Sequence, residues 1–342
     1  MTSHLTLSYF AISLIAVSLV GKSGSSSATA PARPIRSSGL LLVANKADRT
    51  LSVIDPDTGA QIAAVPEGGI TGHEVIASAD GSRAFVPIYG NSGVGKPGTD
   101  GQIIDVIDLA TNRVVQTFDF GHAVRPHCIL VGPDGMLYVT TELDHAITVI
   151  DPATMKIVGT VPTGQPESHM LAITHDGKRG YTANVGPGTV SVLDLVARKT
   201  ITVIPVTAHI QRISISPDKK WAFTSDTEKP RLAVIDLATN KVDKWIDMPG
   251  TGYGSASTPD GKWLLIALPN AKAVAVIDLA TLAVVKTISV PALPQEVLVR
   301  PDGKVAYVSC DTSHQVAAID LATWGVKLIE AGNGADGLAW AQ

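Results

Sequence analysis

The sequence predicts an all-β protein: a seven-bladed β-propeller of four-stranded blades, closed by pairing the N-terminal strands with the C-terminal strand. Three observations predict it. A short apolar run ending in Asp recurs at Asp55, Asp108, Asp151, Asp194, Asp236, Asp278 and Asp320, in steps of 53, 43, 43, 42, 42 and 42 residues. Each period is long enough for four short strands, the size of a propeller blade. The two ends are out of phase. The chain enters at residues 39–45 on a second strand and leaves at residues 336–341 on a lone first strand, so pairing them completes a blade and removes two open edges.

Residues 164–194 display the unit. Runs at 169–174, 180–184 and 189–195 are rich in Val, Ile, Thr and Tyr, and turns at 175–178 and 185–188 carry Gly, Pro, Asn and Asp. That is the composition of strands and tight turns. Two of the runs are apolar almost throughout, as expected of strands covered on both faces. After most of the repeated Asp residues comes a turn and then a fourth strand, such as 114–118 or 283–288. The seven acids are read as turn braces, because a short carboxylate accepts from the backbone just ahead of it.

Tyr181-Thr182-Ala183-Asn184, Tyr138-Val139-Thr140-Thr141 and Tyr307-Val308-Ser309-Cys310 end second strands, and turns such as Thr258-Pro259-Asp260-Gly261 and Arg300-Pro301-Asp302-Gly303 precede them. Over about residues 39–341 the chain resembles the YVTN-family β-propeller repeat proteins. The resemblance implies a seven-bladed propeller that is often exported or cell-surface. It implies no single activity, since one fold hosts many.

With 17% charged and 45% hydrophobic residues, the chain is neither disordered nor a multi-span membrane protein. A net charge of −4 offers no broad basic surface, so nucleic acid is disfavoured as a partner. Residues 1–30 hold an apolar run (5–20) and end in Ala28-Thr29-Ala30, which reads as a secretory signal peptide, with a retained membrane anchor as the alternative. Residues 31–38 are a linker and 39–342 a single propeller. The expected location is periplasmic or extracellular, with no stable membrane span if the signal is cleaved, and the expected state is a monomer. Cys128 and Cys310 fall on different blades and are expected as free thiols.

The first strand of a blade lines the channel, so residues at its head should ring the mouth. Counting back from the Asp of each first turn gives His73, His127, His169, Gln211, Tyr253 and Gln295, with Asp336 at the same place in the closing blade. Three histidines on successive blades form a candidate site for a divalent metal of unknown identity, because neutral imidazoles bind such ions and three of them leave positions open. The alternative reading is a habit of the repeat. Asn184 belongs to a second tier at the ends of second strands, and Arg212 follows a ring glutamine; both are candidates for ligand binding. So are Gln211, Tyr253, Gln295 and Asp336.

One blade is irregular. His73 to His127 spans 54 residues and His127 to His169 spans 42, and the excess falls in the Gly-rich stretch 89–101 on the histidine face. It reads as a lid or substrate contact, or as a tolerated insertion. The stretch contains G-x-x-x-x-G-K, but Pro97 stands where Ser or Thr would bind magnesium and no helix follows, so a nucleotide loop is rejected.

The functional expectation is an exported propeller that holds a small polar or anionic ligand, with a divalent metal, at the His-lined mouth. The alternatives are a metal-dependent lyase, hydrolase or isomerase on a sugar-acid or lactone-like substrate, with Glu74, Glu142 or Glu167 as general base, and a protein–protein platform. The partner is accordingly a small molecule or a protein at the channel mouth.

Overall fold

A computed structural model of the protein describes residues 39–342; the expected signal segment and linker lie outside the described residues. Seven four-stranded antiparallel sheets form the ring of a seven-bladed β-propeller. Blade 1 pairs the C-terminal strand Ala335–Ala341 with Leu40–Asn45, followed by Thr50–Asp55 and Ala60–Pro66. The predicted closure is therefore present, with Leu41 opposite Trp340 and Leu42 opposite Ala339. Blade 2 is Ile76–Ala77, Arg83–Gly90, Asp100–Asp108 and Arg113–Asp119, and blade 3 is Pro126–Val131, Leu137–Thr141, Ala146–Asp151 and Lys156–Pro162. Blades 4 to 7 begin at Ser168–Ile173, Ser214–Ile215, Ser255–Ser257 and Pro294–Val299. Among the described residues no helix is long and apolar enough to cross a membrane.

The burial pattern follows from position in the blade. Leu40–Asn45 is buried at every residue, whereas the outer strand Arg113–Asp119 is largely exposed. Inner strands are pressed between two neighbouring sheets, so both of their faces must be apolar or hydrogen-bonded. Burying each large aliphatic side chain there contributes roughly 1.5–3 kcal/mol. The seven repeated acids brace their turns as expected. Each accepts a backbone N–H two or three residues ahead, at 2.7–3.0 Å. Cys128 and Cys310 are buried free thiols.

Candidate site at the channel mouth

The ring residues reach the channel through a backbone device. In blade 3, Pro126 faces Thr141 and Ile129 faces Val139, so His127 and Cys128 together oppose one residue. The same two-against-one step places Gln295 and Glu296 in blade 7, and Asp336 and Gly337 in blade 1. In blade 4 the extra residue is His169. These are β-bulges, which bend the strand and re-aim side chains. In blade 2 Gly72 bridges to Ile88 and the ladder resumes at Ile76, while in blades 5 and 6 the regular ladder begins beyond the ring residue, at Ser214 and Ser255. Second-strand hydroxyls satisfy the freed backbone groups. Thr140 Oγ1 accepts from Cys128 N at 2.9 Å and donates to the His169 carbonyl of the next blade at 3.0 Å, and Ser309 Oγ accepts from Glu296 N at 3.0 Å.

Blades 2 to 4 bring the three predicted histidines together. His127 and His169 stack, with ring centroids 3.6 Å apart and planes 31° from parallel, and His73 meets His127 edge-on at 5.5 Å. Tyr89, from the end of the second strand of blade 2, sits among them at 5.0, 5.1 and 5.7 Å. Its hydroxyl donates to Glu142 Oε2 at 2.6 Å, and His169 Nδ1 lies 3.9 Å from the same oxygen. His127 Nδ1, His169 Nδ1 and Glu142 Oε1 are buried without a hydrogen-bond partner. Burial holds His73 down to about 4 and keeps His127 and His169 well below the ordinary histidine value. The imidazoles are therefore neutral at neutral pH. Burial pushes Glu142 up to about 7, against the Tyr89 hydroxyl and the Arg125 charge.

Neutral imidazoles with free lone pairs suit a metal, but a metal also requires those lone pairs to converge on a point about 2.0–2.1 Å from each nitrogen. Stacked rings direct their in-plane lone pairs alongside one another. Among the described residues, no group of three or more His, Cys, Asp and Glu side chains is arranged to hold a metal ion.

The opposite side of the channel is ionic. Arg212 of blade 5 is 5% exposed and crosses the axis. Its Nη2 lies 2.9 Å from Glu74 Oε1 and 3.2 Å from Asp336 Oδ1, while Nη1 pairs with Glu296. Lys46 extends the network to Asp336 at 3.0 Å and Asp311 at 3.1 Å. Burial raises Glu74 to about 8 in spite of Arg212. It pushes Asp336 the same way, but the Lys46 and Arg212 charges overcome it and hold that carboxyl below the ordinary value. Gln211 Nε2 donates to the Tyr253 hydroxyl at 2.7 Å. A cavity of about 470 Å³ opens above this half, lined by Lys46, Gln211, Tyr253, Gln295 and Asp311 among others.

Two predicted residues stand apart from both groups. Asn184 is committed to its own blade: Nδ2 donates to Thr189 and Ser191, and Oδ1 accepts from Ser168 and Thr182. Asn45 makes the matching bonds to Thr50 and Ser52 in blade 1, so this position braces the repeat. Glu167 accepts from Gly186 N at 2.7 Å, at the rim. Sequence reasoning missed Tyr89, Lys46 and Arg125. Tyr89 carried one signal, as the aromatic that closes the second strand just before the insertion.

No protein-family model matches the sequence, and no curated protein matches it. Among solved structures the chain is similar to a chain of hydrazine synthase from Kuenenia stuttgartiensis, at 20% identity and a TM-score of 0.63, over 77% of this chain and 87% of that one. At that identity the likeness is one of fold. It agrees with the β-propeller architecture and carries no chemistry across, and the finer resemblance to YVTN repeats rests on the sequence motifs.

Proposed function

We propose that this protein is a ligand-binding β-propeller whose site is the His-lined mouth of its channel. One observation carries the reading: two imidazole nitrogens and a carboxyl oxygen, on adjacent blades around Tyr89, are buried without partners. Each such atom costs about 1–3 kcal/mol if nothing polar meets it. A small polar ligand entering between blades 2 and 4 would meet all three. Of the candidate bases, Glu74 is tied to Arg212 and Glu167 to a backbone amide, which leaves Glu142 with an oxygen free for a ligand.

A divalent metal at His73, His127 and His169 is the second reading. The unpartnered nitrogens favour it and the stacking of two rings opposes it, so no chemical step is routed through a metal here. Thermal unfolding against a panel of small polar molecules and Mn²⁺, Zn²⁺ and Cu²⁺, with elemental analysis of the purified protein, tests both. The proposal expects a probe that stabilises the native protein but not a His127→Gln/His169→Gln variant. No stabilising probe, or equal stabilisation of the variant, would sink it. Stoichiometric metal lost in the variant would establish the second reading.

A further inference from the structure

Beside the histidines, a cavity of about 360 Å³ lies under the inserted stretch of blade 2, near the lower end of small-ligand sites. Gly95, Lys96 and Pro97 form its roof, and Arg125, Glu142, Leu143, His145, Pro166 and Glu167 complete the wall. The insertion is held in place. Thr99 N donates to Asn91 Oδ1 at 2.7 Å, and the Arg125 guanidinium donates to Asp100 Oδ1 and to the Lys96 carbonyl, both at 2.6 Å. Gly95 has φ +66, and a Cβ there would come within 2.5 Å of Glu167 Oε1, so only glycine lets the roof rest on the far wall.

The charges on this wall are segregated. Arg125 is neutralised by Asp100. The Lys96 ammonium has no ion-pair partner among the described residues. On the lining of the same cavity, Glu142 is 2% exposed, with Oε2 taken by Tyr89 and Oε1 left unpartnered. Glu167 adds a second carboxylate on the same side. Leu143, Pro97 and Pro166 supply apolar surface between the two poles. An anion alone would meet two carboxylates, and a cation alone would share the cavity with the like-charged Lys96.

We propose that this cavity is a subsite for a small zwitterion of the amino-acid class, its ammonium on Glu142 Oε1 and its carboxylate on the Lys96 ammonium. The assignment rests on the channel-mouth reading and narrows it from a polar ligand to one bearing both charges. It also gives the insertion a role as the carboxylate-binding roof of the site.

The test is calorimetric titration of the full chain with ω-amino acids from glycine to 6-aminohexanoate, and with butylamine and butyrate as single-charge halves of 4-aminobutyrate. At least one zwitterion should bind tenfold or more tightly than either half. Glu142→Gln should weaken it tenfold or more. Lys96→Glu, an exposed change that leaves the interior intact, should move the preference to a diamine such as putrescine. Butylamine or butyrate matching every zwitterion overturns the assignment, as does an unchanged preference in Lys96→Glu. If no zwitterion binds while another polar probe still requires His127 and His169, the ligand class is wrong and the channel-mouth reading stands. If no probe of any kind binds, both fail.

Discussion

Blades 2 to 4 and blades 5 to 7 present the same repeat position to the same channel, and the results are opposite. On one side three neutral imidazoles cluster around Tyr89, and two of them, His127 and His169, stack and leave a nitrogen unpartnered. On the other, Arg212 of blade 5 is tied to Glu296 of blade 7 and Asp336 of the closing blade 1, where Lys46 joins Asp336 to Asp311, and it reaches across to Glu74 of blade 2. The residue after the ring position makes the difference. It is Arg212 in blade 5, Glu296 in blade 7 and, after His73, Glu74 in blade 2, but Cys128 and Met170 in blades 3 and 4. Where the first strand bulges or has not yet begun its ladder, both residues can face inward, so a charge at the second place can reach across the axis and a thiol or thioether cannot. The ionic half is thus satisfied internally, which directs the search for a ligand to the half that is not.

The largest test of this contrast is a matched pair of substitutions. Arg212→Met leaves Glu74 and Glu296 without their cation and Asp336 with Lys46 alone, and should cost about 3–5 kcal/mol. His127→Leu removes an unpartnered group at similar volume and should cost nothing, with a gain of up to about 1–3 kcal/mol. Denaturant midpoints of the two variants decide it. Equal losses would mean that the histidine half is as tightly satisfied as the ionic one.

The halves also predict a pH dependence with a definite sign. Glu74 and Glu142 have folded values raised to about 8 and about 7, above the ordinary 4.5. Their contribution is complete below the unfolded value and is lost as pH rises through the folded one. The histidines are depressed, so theirs is present above 6.5 and lost as pH falls towards the value of about 4 held by His73. Between 4.5 and 6.5 the two trends oppose. From pH 6.5 to about 8 Glu74 and Glu142 titrate, joined by Glu67, which burial raises to about 7, and by His122, raised by Asp144; all four shifts act in one direction, and the two mouth acids should lower stability by on the order of 2 kcal/mol. Thermal midpoints across that range check the sign. A midpoint that climbs towards pH 8, or a decline unaltered in Glu142→Gln and Glu74→Gln, would contradict it.

A smaller test lies inside the histidine half. Tyr89→Phe keeps the ring among the imidazoles and deletes the hydroxyl that Glu142 Oε2 accepts from. The expected cost is about 1–2 kcal/mol, the usual range for a buried acceptor left alone. A gain in stability would show that Glu142 prefers another partner once Tyr89 releases it.

The period, the strand order, the closing pair and the turn-bracing acids were legible because each is local or repeats at a fixed step. The ring of seven residues followed from that step, and the three histidines do meet. The second set, Glu74, Arg212 and Glu296, was noticed only as neighbours of ring residues. Alternation in a regular strand would have turned them away from the channel, and a bulge is not written in a sequence. Tyr89 and Arg125 stayed hidden for a related reason. Tyr89 acts on Glu142 of the next blade and Arg125 holds the insertion, and neither contact is with a partner that the repeat step marks. Asn184 shows the converse error. Its place at the mouth was read correctly, but its amide is spent on Thr189 and Ser191 of its own blade, and only the register reveals that.

The mildest expected effect falls on the ionic half. Tyr253 lies over the Arg212 guanidinium at 5.0 Å and accepts from Gln211 Nε2 through its hydroxyl. Tyr253→Phe keeps the ring and the cation–π contact while removing that acceptor. Gln211 is only half-buried and the cavity above it admits water, so a water molecule can take up the lost bond. The change should cost less than about 1 kcal/mol, below Tyr89→Phe, although both delete one tyrosine hydroxyl at the same mouth. Side-by-side denaturation of the two variants tests the comparison at its finest grain. The contrast fails if Tyr253→Phe proves the more damaging, because the ionic half would then depend on a neutral hydrogen bond that its charges do not replace.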